Sequence, residues 1–453
     1  MKKISFILLF VASAFGLVSC NSDKDSADNP FDTISASSNV ERDKIIVISD
    51  LHLGNDLAYS ENVKHLKRLE QFLNEVRSSN TIKELVIAGD MFDEWYIPTR
   101  VNTYGNGSQT DFVRKTVVAN QRIFDVLNGI IKDRNVKVTY IPGNHDMGIS
   151  PENVDVAMPG VNQARDKDRL AVGTYYPDGY PQIAIEHGHR YDFFCAMTPG
   201  ANESEAPGSI LPPGYFFARI AANSFIDPTT PEAATKVPNV KLNDPNNEEQ
   251  NSKYNYYYLW NQVLSGLIYV KDNFDDKIIT TNVGNYTKAY SINDILPRNN
   301  ATDGHIEMNL YDGLFTQANW DDRERYNHAL VSTNIDDAIS GSLHTGFIDD
   351  QSYLQYFLVP IRSFVRLVVF GHTHLPMIKS YTNSENKSCV YANTGTWEDE
   401  KTRDKNKVID QDAKNMHFVV ILPMNSDKKK LQVALYQYKY GTHLLVNNKE
   451  VDL

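Results

Sequence analysis

Cysteine, positive charge and membrane-length apolar runs are all scarce in this sequence, and each scarcity narrows what the chain can do. Three cysteines in 453 residues leave room for at most one intramolecular disulfide. Acidic residues outnumber basic ones and the net charge is −12, so no overall field draws in a phosphate backbone, and nucleic-acid binding is not expected. Phosphate is left to local sites. The one sustained apolar run, Ile4 to about Val18, is too short for a comfortable helical span. A hydrophobic content of 41% excludes wholesale disorder. The length suits one large α/β domain with elaborations, or two smaller domains.

The apolar run follows Lys2 and Lys3 and ends "LVSC", so residues 1–19 read as a signal peptide. The ending resembles a bacterial lipobox, which implies lipidation of Cys20; an ordinary signal peptide or an uncleaved anchor is the alternative. Residues 20–42 are polar and read as a flexible tether. The expected location is therefore extracytoplasmic, lipid-anchored to the bacterial outer membrane on its periplasmic or surface face. Cys195 and Cys389 remain in the mature chain, where a disulfide is permitted but not fixed by sequence.

What the chain has in quantity is short β-branched runs that stop at polar residues. "KIIVISD" leads to Asp50 and His52, "ELVIAGD" to Asp90 and Asp93, "VKVTYIPGNHD" to Asn144, His145 and Asp146, "PQIAIEHGH" to His187 and His189, and "RLVVFGHTH" to His372 and His374. Between the first three runs, 60–79 and 110–134 carry apolar residues at helical spacing. Strands alternating with helices predict a largely parallel sheet, whose carboxyl ends gather such endings at one place. "SCVYANTG", "MHFVVILP" and "KLQVALYQYKY" are further candidate strands, expected to form a second sheet that completes a sandwich. The expected division is a core of 43–189 and 366–453 interrupted by a long inserted cap, 190–365, since a plain connection of that length is uncommon. Within the insertion the aromatic cluster Tyr254 to Trp260 is either cap core or a substrate platform.

An HxH pair alone is more often a solvated loop pair than a metal site. Five blocks in this order, each ending a strand, resemble the calcineurin-like metallophosphoesterases. The resemblance implies a four-layer α/β/β/α sandwich and a metal-dependent phosphoesterase, a hydrolase of phosphate ester or pyrophosphate bonds. It implies two divalent ions, Mn, Fe or Zn: Asp50, His52 and His374 on one, Asn144, His187 and His372 on the other, and Asp90 bridging them. Two such ions about 3.5–4 Å apart clamp the oxygens of an in-line displacement and favour hydroxide near neutral pH. His145 is the implied leaving-group acid, oriented by Asp93. His189 and Asp192, in "HGHRYD", are either supports behind the ligands or substrate contacts, or else plain surface positions, and Arg190 is either a substrate-phosphate contact or a surface arginine. His65 and His328 have no motif around them.

"GDMFDEW", "HGHRYD" and "GHTHLP" followed by "NTGTWED" are similar to the branch of that superfamily that includes UDP-2,3-diacylglucosamine pyrophosphatases. The signal peptide and the insertion separate this chain from that role, so the chemistry carries over while the substrate, a phosphate-containing small molecule or lipid, stays open. The alternative is a non-catalytic surface lipoprotein with structural metals whose cap binds a glycan or polymer. An intact His145 and Asp93 speak against it, since a purely structural site needs no proton donor.

Overall fold

A computed structural model describes residues 30–31, 41–226, 237–266, 268–342, 344, 346–401, 407–424 and 426–453. The expected signal peptide, Cys20 and nearly all of the tether lie outside the described residues. The strands are β1 (Lys44–Ile48), β2 (Ile82–Ala88), β3 (Lys137–Ile141), β4 (Asn162–Gln163), β5 (Ile183–Ile185), the two-residue β6 to β9 between Ile279 and Glu307, then β10 (Leu367–Phe370), β11 (Met377–Thr382), β12 (Ser388–Asn393), β13 (His417–Pro423), β14 (Lys430–Lys439) and β15 (Thr442–Asp452). The first five helices are α1 (Leu66–Ser78), α2 (Gln109–Ala119), α3 (Gln121–Asp133), α4 (Pro151–Ala157) and α5 (Pro213–Ile226), followed by α6 (Glu248–Gly266) and α7 (Gln317–Tyr326).

The described chain forms two compact units: one of Glu94–Ser108 and His189–Ile348, the other of the chain up to Asp93, Gln109–Gly188 and Asp349–Leu453. The second unit is an α/β sandwich. One sheet has the order β15-β14-β13-β1-β2-β3-β4 and the other β11-β12-β10-β5. β1 to β4 run parallel, as do β5, β10 and β12. Residues two apart on each strand share a face, and Ile45, Val47, Val86, Ala88, Ile183, Ile185, Leu367, Val369, Val390, Ala392, Val419 and Ile421 join in one buried cluster between the sheets. Burying each of the larger of these side chains is worth roughly 1.5–3 kcal/mol.

One expectation is corrected here. Only "SCVYANTG" enters the second sheet, as β12; "MHFVVILP" and "KLQVALYQYKY" become β13 and β14 of the first. β13 pairs antiparallel with β1, Ile46 opposite Val420, and so covers an edge that would otherwise present unpaired backbone groups.

On the outer face of the seven-stranded sheet, α1 buries Leu69, Phe72, Leu73 and Val76, and Phe72 packs on Phe418 of β13 with ring centroids 4.9 Å apart. The segment 110–134, expected as one helix, is broken into α2 and α3 at Asn120, whose side-chain amide donates to the carbonyls of Gly54 and Thr116 at 2.9 Å. Outside the four-stranded sheet lies the short helical turn Tyr353–Phe357, which sets Tyr353 against Tyr381 and Tyr356 against Phe370.

The other unit has an aromatic core. Tyr256 and Trp260 of α6 are fully buried among Phe193, Phe194, Phe217 and Phe315, so most of the 254–260 cluster is core, with Tyr258 exposed. The guanidinium of Arg219, on α5, is buried and donates to the carbonyls of Ile97 (2.6 Å), Pro98 (3.0 Å), Val101 (2.5 Å) and Thr280 (2.8 Å). Those bonds explain why 94–108, which the sequence leaves in the sandwich, belongs with 189–348. Cys195 and Cys389 are both buried and are not joined to each other in a disulfide.

Candidate metal centre

Five strands of the sandwich end within three residues of a candidate ligand: β1 before Asp50, β2 before Asp90, β3 before Asn144, β5 before His187 and β10 before His372. The turns that follow bend sharply. Asp50, His52, Asp90, His372 and His374 all adopt the left-handed backbone region, with φ of 54°, 46°, 50°, 69° and 56°. For residues with a Cβ this costs roughly 1–2 kcal/mol each, and such outliers gather where function demands an unusual side-chain direction.

The result is a convergence of imidazole nitrogens and carboxylate oxygens. His374 Nε2 lies 3.1 Å from Asp50 Oδ1 and 3.3 Å from His52 Nε2. His187 Nε2 lies 3.1 Å from both Asp90 Oδ2 and Asn144 Oδ1. Asp50, His52 and His374 form one group whose ligand atoms lie within 4.8 Å of one another, and Asp90, His187 and His372 form a second. The rings of His187 and His372 stand 5.1 Å apart. All seven of these sequence candidates thus meet in one place, and Asp50, His52, Asp90, Asn144 and His187 are almost wholly buried.

The glycines of the blocks make this approach possible. A Cβ on Gly143 would overlap Asp90 Oδ1, one on Gly371 would overlap Ser49 Oγ, and one on Gly89, where φ is +94°, would overlap the His187 ring. Orientation comes from partners behind the donors. Asp50 Oδ2 accepts from Ser49 Oγ and from the His372 amide at 3.1 Å, leaving Oδ1 toward the cluster. Asp90 Oδ1 accepts from the His145 amide at 2.8 Å. His187 Nδ1 donates to the Ala88 carbonyl at 2.8 Å, which turns the Nε2 lone pair inward.

Electrostatics favour cations here. Burial opposes charge on every group, yet the neighbouring carboxylates push His52 up to about 10 and His187 up to about 9. His374 is raised well above the ordinary imidazole range by Glu398 and Asp50, against burial. Despite burial, Asp50 and Asp90 are held low by the imidazoles around them. Imidazole, carboxylate and amide oxygen are the donors that manganese, iron and zinc accept, so the residues present fit divalent cations.

His145 stands beside this cluster, its ring 4.6 Å from that of His52 and nearly perpendicular to it. Asp93 Oδ1 lies 2.8 Å from His145 Nδ1, and Asp93 is kept far below the usual carboxylate range, against its burial, by His145 and His52.

A model of the calcineurin-like phosphoesterase family matches residues 43–376, from the start of β1 to the turn that carries His372 and His374. The chain belongs to that family. As a member it is a phosphoester hydrolase in general terms, and its buried His and Asp groups are the places where divalent metals fit. Among curated proteins no match is found.

The weaker sequence candidates of "HGHRYD" are buried. His189 and Arg190 belong to the other unit and are each 2% exposed, so the plain surface reading is wrong for both; Arg190 Nη1 donates to the Asn327 carbonyl at 3.2 Å. Asp192 is buried as well, accepting from the Phe194 amide and from Ser342 Oγ. His65 sits with its ring nitrogens 3.0 and 2.7 Å from the carbonyls of Trp397 and Gln411, as a structural pin.

Two residues at the site have no place in the motif blocks. Glu61 Oε2 lies 3.3 Å from His52 Nδ1, and Glu398 Oε1 lies 3.3 Å from His374 Nδ1. Glu398 is inside "NTGTWED" and was readable as part of that string. Glu61 was hidden, because 60–79 reads as a single helix, whereas the helix begins only at Leu66.

Proposed function

We propose that this chain hydrolyses phosphate ester or pyrophosphate bonds at a pair of divalent cations, one held by Asp50, His52 and His374, the other by Asn144, His187 and His372, with Asp90 between them. The observation that carries this reading is the convergence of those seven donors at the strand ends beside a buried His–Asp pair. Bound there, divalent cations supply Lewis acidity toward phosphoryl oxygens and lower the pKa of a coordinated water.

The protein's own contribution is orientation and proton transfer. Asp93 occupies Nδ1 of His145 and fixes the ring, which assigns Nε2 the proton transfer to the departing oxygen. The left-handed turns and the glycines hold the donors before substrate arrives, so little reorganisation accompanies reaction. The likeness of the motif strings to the diacylglucosamine pyrophosphatase branch supports a phosphoric anhydride among the substrates. The lipobox-like "LVSC" supports an enzyme tethered through Cys20 outside the cytoplasm, where phosphorylated lipids and small phosphate esters are within reach.

The test is hydrolysis by the chain without residues 1–20, reloaded separately with Mn²⁺, Zn²⁺ and Fe²⁺, against monoesters, diesters, nucleotide sugars and phospholipid head groups, with Asp90→Asn as the blank. Metal-dependent release of product from one class is expected. Two cations bound per chain with no hydrolysis across the panel would sink the catalytic reading.

A further inference from the structure

The candidate ligands stand at the carboxyl ends of β1, β2, β3, β5 and β10. The amino ends of those strands form the opposite end of the sandwich, about 20 Å away along the seven residues of β2. The chain enters the sandwich there. Lys44, the first residue of β1, donates through Nζ to the Pro30 carbonyl at 2.8 Å, and Ser79 Oγ, just before β2, donates to the Phe31 carbonyl at 3.1 Å. Pro30 follows Cys20 by ten residues, a reach of at most about 36 Å when fully extended.

An apolar patch lies at the same end. The Arg366 amide, just before β10, donates to the Gln182 carbonyl, just before β5, at 2.9 Å. The chain leading to Arg366 carries Leu358, Ile361 and Phe364 at its surface, with Ile361 76% and Phe364 45% exposed. Ile361 sits on the helical turn Pro360–Arg362 with the other two on either side of it, and the Phe364 ring is 6.4 Å from that of Tyr176. Because β13 runs antiparallel to β1, the turn from β13 to β14 is at this end too, with the exposed Met424 and with Lys428 and Lys429. Single exposed apolar side chains are ordinary, whereas a group of them rimmed by polar residues marks a surface that meets a partner. In a chain of net charge −12, Arg42, Lys83, Arg366, Lys428 and Lys429 gather here, with Glu41, Asp43 and Asp178 among them. Arg42 and Arg366 donate to backbone carbonyls, bonds that leave their charge standing.

We propose that this end of the sandwich docks on the lipid surface to which Cys20 ties the chain, with Leu358, Ile361 and Phe364 entering the headgroup region and the cations meeting anionic phosphates. The inference rests on the reading above that Cys20 is the tether. Apolar side chains beside cations are the chemistry that binds an anionic bilayer, and a short tether holds the patch at high effective concentration beside it. The acyl anchor retains the chain; the patch decides which end faces the lipid. The metal centre, at the other end of the strands, is thereby turned away from the bilayer.

The four native tryptophans are fully buried, so brominated acyl chains, which quench by contact, leave them alone. The experiment reconstitutes the mature acylated chain in vesicles of phosphatidylethanolamine and phosphatidylglycerol, with and without brominated acyl chains, as parent, as Phe364→Trp and as the control Val118→Trp. Val118 is 74% exposed on α2, two residues from Asn120, whose amide reaches Gly54 beyond the carboxyl end of β1. The fluorescence added by Phe364→Trp should be lost on brominated lipid and that added by Val118→Trp kept, and Ile361→Asp beside Phe364→Trp should restore the signal. If Phe364→Trp does not fold, Ile361→Trp carries the test, with Phe364→Asp beside it. Equal quenching at both positions, or none in Phe364→Trp, overturns the proposal. So does a dimer in detergent that Ile361→Asp splits, which would give the patch to a second copy. Intact mass separates the failures: a chain without acyl groups overturns the tether reading and the inference with it, whereas an acylated chain with unquenched Phe364→Trp loses the docking surface alone.

Discussion

At the scale of single residues, the candidate centre stores conformational cost in return for direction. Five of its donors sit in the left-handed region, and the neighbouring Gly143 has no room for a methyl group beside Asp90. Removing one donor should therefore differ in kind from removing the proton donor. Asp90→Asn should lower metal content and turnover together, whereas His145→Ala should keep its metals and lose turnover about a hundredfold. Parent-like turnover by His145→Ala on a substrate with a poor leaving group would take His145 out of the proposed chemistry. A second prediction concerns Asp349, wholly buried, which accepts from Tyr391 Oη and from Asn393 Nδ2. Burial pushes its carboxyl up to about 6 from 3.8, so between those values the folded state binds the extra proton and stability falls as pH rises. Above about pH 6 the buried charge costs about 3 kcal/mol. Asp349→Asn keeps an acceptor for Tyr391 without the charge, so its urea midpoint should gain on the parent's as pH rises from 4 to 6 and hold that gain above. A difference that does not change with pH would show that Asp349 does not titrate in this window.

At the scale of elements, legibility followed local pattern. β1, β2, β3, β5 and β10 were readable because each is a short β-branched run ending in a polar block, and the parallel arrangement follows from strands alternating with helices. The destinations of β13 and β14 were not readable, because an apolar strand carries no mark of which sheet edge it will cover; pairing with β1 is decided by long-range register. The helix boundary at Leu66 was misplaced for a related reason. Val63 fits a helical apolar stripe, but Asp399, more than three hundred residues later in sequence, takes the amides of Val63, Lys64 and His65. Glu61 was lost with that boundary. β10 sits between β5 and β12 and carries the turn with His372 and His374, so its packing supports both fold and site. Leu367→Ala, at a fully buried position of β10, should cost 2–5 kcal/mol, in the range of large-to-small core substitutions, read as a lower urea midpoint with an unchanged slope. A loss below about 1 kcal/mol would mean that the sandwich repacks freely there.

At the scale of the whole molecule, the two units have separate cores, one aliphatic between sheets and one aromatic around Tyr256 and Trp260. All seven proposed ligands, with Glu61, Asp93 and Glu398, lie in the sandwich. A ligand that binds only the folded state stabilises it by about 2.7 kcal/mol at a hundred times its dissociation constant, and here that term acts on the sandwich alone. The metal-free sandwich, in contrast, keeps the buried carboxylates of Asp50, Glu61, Asp90 and Asp93 crowded together without divalent charge beside them. Scanning calorimetry should resolve two transitions, of which chelator lowers one and leaves the other where it was, and restoring Mn²⁺ should return the first. The chain's −12 net charge gives that result a control, since salt alone screens the surface charge and shifts both transitions without distinguishing them. If chelator moves both transitions equally, or if the chain melts in one step, the units share their stability and the cation's contribution is not confined to the sandwich that holds it.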